Sequence, residues 1–219
     1  MFDVDNTLLD NDRVVKDLRT FLTGEVGPAG CGRYWRIFER LRSECGYADY
    51  LGALQRYREM YPHDMRLLAV SRYLIDYPFA RRLFPKCMEV LQHVRRWGQV
   101  ALLTDGDVVF QPHKVERAGL YQAVKGQVLI YVHKQLELAD VANRFPADHY
   151  FVIDDKLHIL TAIKKSWGRR VTTVFARQGH YAHDRKILST NPAADITIDR
   201  IGQLLRYDLE ELLDPVSQG

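Results

Sequence analysis

From Gln99 onward, short apolar runs alternate with longer stretches in which apolar residues recur every three or four positions. The runs are VALLT, QVLIYV, YFVI, VTTVF and ITI. They are rich in Val, Ile, Tyr and Phe and too short for helices, so they read as buried strands, and the stretches between them read as helices. That alternation predicts β and α units stacked on a parallel sheet. Met1–Val4 adds a further strand at the start. Ile159, Ile163 and Trp167 mark the inner face of one helix, and Ile201, Leu204, Leu205, Leu209, Leu212 and Leu213 mark that of a terminal helix.

The stretch from Asp12 to Phe84 has a different rhythm. It holds no convincing strand, only helical stripes: Leu18, Phe21, Leu22; Tyr34, Ile37, Phe38, Leu41; and Tyr50, Leu54, Tyr57, Tyr61. Gly24, Gly27, Pro28, Gly30 and Gly32 interrupt it early, and Pro62 and Pro78 punctuate its later part. LFPKCMEVLQHVRRWG then returns through a helix expected to start near Pro85, with Met88, Leu91, Val94 and Trp97 inward. The pattern predicts a doubly wound parallel α/β core over residues 1–11 and 85–219, and a small α-helical cap, residues 12–84, inserted after the first strand. Ligands of open parallel sheets sit at the carboxyl ends of the strands, so an insert at that point would lie over the site as a lid.

Composition narrows the class. The chain has 219 residues, 47% hydrophobic and 27% charged, which suits a soluble globular protein with one substantial core and a smaller insert. Its formal charge of +3 comes from basic residues scattered among acidic ones. No nucleic-acid motif accompanies them, so no nucleic-acid partner is expected. Three cysteines without CxxC spacing indicate neither a disulfide framework nor a zinc site and fit a reducing compartment. The start carries acids where a signal peptide is apolar, and no apolar run approaches the ~18 residues of a membrane span. A cytoplasmic monomer or homodimer without a membrane partner is the expectation.

The candidate chemistry lies at the strand ends. Asp3 and Asp5 follow the first apolar pair; Thr104, Asp105 and Gly106 follow VALL; Lys134 follows LIYV; Asp154 and Asp155 follow YFVI. Carboxylates gathered from distant parts of a chain repel unless a cation sits between them, and hard oxygen ligands favour Mg²⁺. A lysine and a hydroxyl beside them suit an anion. Metal, anion and nucleophilic carboxylate together equip a site for phosphoryl transfer.

Those residues resemble the motifs of the haloacid dehalogenase superfamily over nearly the whole chain: DVDNTLLD the first, LLTDG the second, the lysine of YVHKQ the third and FVIDD the fourth. The inserted helical cap is similar to that of the family's C1 class. The resemblance implies that Asp3 attacks phosphorus to form an aspartyl-phosphate while its other oxygen binds Mg²⁺. It implies that Asp5 protonates the leaving oxygen, then deprotonates the hydrolytic water, with its backbone carbonyl on the metal. Thr104, Asp105, Gly106 and Lys134 form the expected phosphate-binding set, and Asp154 and Asp155 complete the metal site. An aspartate at position 5 also implies phosphate esters rather than haloacids, because a halide leaving group needs no general acid.

Several positions admit a second reading. Lys125 and Lys114 compete with Lys134 for the third-motif role. Asp107 reads as a helix N-cap rather than a ligand. His180 and His183 in ARQGHYAHD have metal-pair spacing without a third ligand, so a surface or substrate-facing loop is the better reading, and His133 and His158 flank the proposed site. Relatives of this pattern carry a further acid after the fourth motif, where this chain has His158 and Ile159. Which of Asp154 and Asp155 binds metal directly stays open. Only Met1 and Phe2 precede the nucleophile, which raises a truncated start or an internal initiation and a less stable first strand. The expected activity is Mg²⁺-dependent hydrolysis of a small phosphorylated metabolite, with Tyr34, Tyr47, Tyr50, Tyr57 and Tyr61 of the cap as the place to look for selectivity. The alternatives are a phosphotransferase or mutase, and a phosphate- or partner-binding regulator on a decayed core.

Overall fold

The computed structural model describes residues 1–210 and 212. After a short N-terminal segment the chain builds the cap from α1 (Asn11–Cys45), α2 (Tyr50–Met60) and α3 (Leu67–Asp76). Gly27, at φ 73° and ψ 168°, breaks α1 into two limbs, and Pro28 opens the second, where a missing backbone N–H costs nothing. Gly24, Gly30 and Gly32 stay helical. Leu18, Leu22, Tyr34, Phe38 and Leu41 are buried with Tyr50, Leu54 and Tyr57 of α2, as their spacing requires.

The core helices are α4 (Cys87–Val94), α5 (Phe110–Arg117), α6 (Leu120–Ala123), α7 (Leu138–Arg144), α8 (Leu157–Trp167) and α9 (Arg185–Thr190). They alternate with the strands β1 (Leu102–Asp105), β2 (Val128–Tyr131), β3 (Tyr150–Asp154), β4 (Val171–Ala176) and β5 (Ile196–Ile198). β1 pairs with β2, β3 with β4 and β4 with β5, all parallel. Phe2 joins the two groups: its N–H donates to Ala101 O at 2.9 Å and its carbonyl accepts from Leu103 N at 2.8 Å. On its other side Asp3 N donates to Ile153 O at 2.9 Å, and Ile153 N to Met1 O at 3.0 Å. The order across the sheet is therefore β2, β1, the Phe2 segment, β3, β4, β5.

The expected strand over Met1–Val4 is thus a bridge at one residue. Val4 O takes N–H groups from Leu8 and Leu9, and Asn6 adopts φ 61°, so the chain curls away directly after Asp3. Phe2 is nonetheless buried and paired on both edges, which fixes Asp3 at the sheet's carboxyl end.

Side-chain alternation covers both faces. Phe2, Leu102, Ile153, Val174 and Ile198 pack with α4, Ile201 and Leu204, whereas Val152 and Phe175 pack under α8, and Leu103 and Leu129 pack with Val141 of α7. This is the doubly wound arrangement with a helical insert after the first strand. Two helical faces differ from expectation. α4 follows Lys86, which has φ 66°, and this start turns Cys87, Val90, Leu91 and Val94 inward and leaves Met88 41% exposed. Residues Ile201–Arg206 form a 3₁₀ segment that ends in extended Tyr207, in place of a long α-helix, and Leu213 lies outside the described residues. Among the described residues no helix is long and apolar enough to cross a membrane.

Candidate active site

The Phe2 segment, β1, β2 and β3 all present their carboxyl ends to one place. Asp3, Asp154 and Asp155 are buried there, with one carboxylate oxygen from each within 4.8 Å of the others. Lys134, on the turn after β2, places Nζ 2.6 Å from Asp3 Oδ1 and 2.7 Å from Asp154 Oδ2, and donates to Leu103 O at 3.1 Å. Asp3 Oδ2 and both oxygens of Asp155 have no hydrogen-bond partner. Lys156 is a second cation close enough to act on the same group, so two ammoniums face three carboxylates and do not balance them. Burial pushes the Asp154 carboxyl up despite Lys134, and burial with neighbouring Asp154 pushes Asp155 well above the usual range. Burial alone would lower Lys134, but Asp154, Asp3 and Asp105 outweigh it and raise its pKa. Unpartnered, converging carboxylate oxygens are a donor set that fits a small hard dication.

The remaining predicted residues surround this cluster. Asp105 accepts from Lys134 N at 2.7 Å, so its carboxylate orients the lysine's turn. Thr104 Oγ1 accepts from Gln111 Nε2 of α5 at 3.0 Å. Gly106 lies against Gln111, where a Cβ would come within 2.7 Å of the Gln111 Cβ. Asp107 accepts from Val109 N at 2.9 Å and Phe110 N at 2.6 Å and so closes the turn that leads into α5, two residues before the N-cap Val109. Of the three lysines weighed for the phosphate, Lys134 reaches Asp3, Lys114 reaches Asp5, and Lys125 is exposed in a turn. The Asp5 carboxylate stands outside the three-carboxylate group, held by Lys114 Nζ at 2.8 Å from each oxygen.

The histidines divide. His180 pairs through Nδ1 with Asp12 Oδ1 at 2.6 Å, while its backbone N–H donates to Asp12 Oδ2 at 2.8 Å. His183 is exposed, and no third ligand joins the two among the described residues. His158 is exposed; His133 lies under Gly46, at the mouth between cap and core.

The cap closes over the site. The Tyr50 and Phe110 rings lie 5.5 Å apart across the boundary, and Tyr181 of the core has Arg42 of α1 and Lys156 each 5.5 Å from its ring.

The same architecture occurs in known structures. The crystal structure of a haloacid dehalogenase-like hydrolase from Burkholderia xenovorans LB400 is 56% identical, with 97% of each chain covered and a TM-score of 0.92. The chain belongs to the haloacid dehalogenase-like hydrolases. L-2-haloacid dehalogenase from Xanthobacter autotrophicus, with chloropropionic acid covalently bound, shares the fold at 16% identity and TM-score 0.61, over 94% of this chain and 95% of that one. YfnB from Bacillus subtilis, bound to magnesium, shares it at 14% identity and TM-score 0.59, over 97% and 96%. No protein-family model and no curated protein sequence matches the chain.

Two residues of this haloacid dehalogenase-like hydrolase are placed at the site beyond those assigned from sequence. Gln111 and Lys114 stand one turn apart on α5, both buried, and hold Thr104 and Asp5. In the sequence Lys114 competes only for the third-motif role and Gln111 carries no signal, because nothing in the pattern marks either as buried. The cap tyrosines also sort themselves. Tyr34 and Tyr57 are 1% exposed inside the cap's own core, whereas Tyr50 packs across the boundary against Phe110 and Tyr47 follows Gly46, which lies against His133.

Proposed function

We propose that this hydrolase cleaves a small phosphomonoester with Mg²⁺ through an aspartyl-phosphate on Asp3. The observation that carries the reading is the convergence of Asp3, Asp154 and Asp155 with unpartnered oxygens. Displacement of a halide needs a nucleophilic carboxylate but no three-acid cluster, whereas phosphoryl transfer needs positive charge beside the phosphate. Asp3, Asp154 and Asp155, with the Asp5 carbonyl, would hold the ion. When bound, it supplies positive charge that offsets the carboxylates and the phosphoryl oxygens.

The side chains then divide the work. Lys134 and the Thr104 hydroxyl bind phosphoryl oxygens, the lysine by charge and the hydroxyl by a directed hydrogen bond. Asp3 attacks phosphorus as the ester P–O bond breaks, and Asp5 gives its proton to the departing oxygen. Asp5, now ionised, takes a proton from water; the resulting hydroxide attacks phosphorus, the bond to Asp3 breaks, and phosphate leaves with Asp3 regenerated. Asp3 is 2% exposed, so substrate entry requires the cap to move, and closure excludes bulk water.

The test sets p-nitrophenyl phosphate with and without Mg²⁺ against L-2-chloropropionate. Mg²⁺-dependent phosphate release, lost in Asp3→Asn, is expected; chloride release without metal would overturn the reading. A closed site also suits transfer to a second alcohol, which product analysis in the presence of such an acceptor distinguishes from hydrolysis.

A further inference from the structure

Lys114 has no role in the chemistry just described, yet it is 1% exposed and its ammonium sits 2.8 Å from both oxygens of Asp5. A buried lysine is an expensive way to fill space, because desolvation opposes its charge unless a carboxylate answers it. The rest of its environment is nearly neutral: Asn11 Oδ1 at 3.4 Å and the Phe110 ring, whose centroid is 5.7 Å away. Asp5, for its part, has no other side-chain hydrogen bond among the described residues and keeps 22% of its side chain exposed. Its carboxylate is therefore aimed by Lys114 alone.

The helix that carries Lys114 is itself fixed. Asp107 accepts from Phe110 N at its start, Gln111 ties it to Thr104, and Phe110 packs against Tyr50 of the cap. We infer that Lys114 is the positioning residue for Asp5: it holds the carboxylate apart from the three acids around Asp3 and aims it at the leaving oxygen. This rests on the phosphohydrolase reading, in which Asp5 is the proton donor.

A residue that acts through the proton donor has a signature that a merely structural residue lacks. The loss on removing it grows with the basicity of the leaving group, since nitrophenolate departs with little help and an alkoxide needs a proton. The experiment measures kcat/KM of wild type and Lys114→Met on p-nitrophenyl phosphate, phenyl phosphate and an alkyl phosphate with saturating Mg²⁺. The expected loss is about 10²-fold on the alkyl ester and tenfold smaller, or less, on the nitrophenyl ester. An equal loss on all three overturns this inference alone. Absence of phosphate release by wild type from any ester overturns the underlying reading as well. Should Lys114→Met fold poorly, Asp5→Asn/Lys114→Met removes both charges and is compared with Asp5→Asn. Equal kcat/KM on the alkyl ester supports action through Asp5; a further tenfold loss in the double variant refutes it.

Discussion

Two carboxylates within one chain show what separates a structural acid from a chemical one. Asp17, on the first limb of α1, accepts from Tyr77 Oη at 2.6 Å and from Arg82 at 2.9 and 2.6 Å, and pairs with Arg13 at 3.3 Å. Burial alone would raise it, but the Tyr77 hydroxyl and Arg82 outweigh burial and hold it below the usual carboxylate range. Asp155 is more deeply buried, has no partner on either oxygen, and is pushed the other way. The first acid is complete and clasps the cap's opening helix to the segment that returns to the core. The second is complete only with something the chain does not itself supply.

The largest effect tests the incomplete group at Asp3, the nucleophile of the proposed reaction. Asp3→Asn should lower phosphate release by roughly 10⁴-fold or more, as removal of a nucleophile does elsewhere, with the fold retained by circular dichroism. Retained turnover would show that the unpartnered cluster is not the reacting centre. Asp155→Asn separates the two acids by the sign of its effect on stability. Wild type should gain about 2.7 kcal/mol at an Mg²⁺ concentration 100 times Kd. The variant should lose most of that gain, while its metal-free Tm stays level or rises because a buried uncompensated charge has gone. A metal-free Tm that falls would make Asp155 a scaffold acid like Asp17.

This difference explains which parts of the protein were legible in its sequence. Asp3, Asp154 and Asp155 stood out because acids bracketed by Phe2, Val4, Val152 and Ile153 cannot be solvated strand ends. The layered core was legible from the alternation of short apolar runs with helical stripes. The first strand is shorter than its apolar run suggests because its bridges centre on Phe2, and a run of apolar residues does not reveal where the backbone turns away. Met88 reads as inward in the sequence because the left-handed Lys86 that resets the helical face leaves no mark in the hydrophobic pattern. The pairing of Lys114 with Asp5 and the burial of Gln111 leave no mark, because a lysine or glutamine on a short helix looks like an exposed one. Asp17 was equally silent: its partners Tyr77 and Arg82 are 60 and 65 positions away.

The complete group gives a smaller, metal-independent effect. Asp17→Asn should cost about 1–2 kcal/mol, after discounting for the partial exposure of the cluster. Its pH dependence has a definite sign. A carboxylate held below its ordinary value of 3.8 adds stability that is present above that pH and is lost as pH falls through the lowered value. Wild type should therefore lose part of its advantage over Asp17→Asn below pH 3.8, with the same outcome in Mg²⁺ and in a chelator. A cost that depends on Mg²⁺ would erase the distinction between the two acids.

The smallest effect belongs to a third acid, Asp12, which is more exposed than either of the other two and ties the start of α1 to the loop after β4. His180 pairs with it at 2.6 Å, Asn6 donates to it at 3.1 Å, and these partners outweigh burial to hold its carboxyl below the usual range. The pair is largely exposed, with side chains 57% and 36% accessible, so solvent and salt screen it. His180→Gln should cost about 0.2–1 kcal/mol, measured by denaturant midpoint, and the cost should shrink in 1 M salt. A larger loss, unaffected by salt, would place the Asp12 link with the Asp17 clasp as a determinant of how the cap is seated.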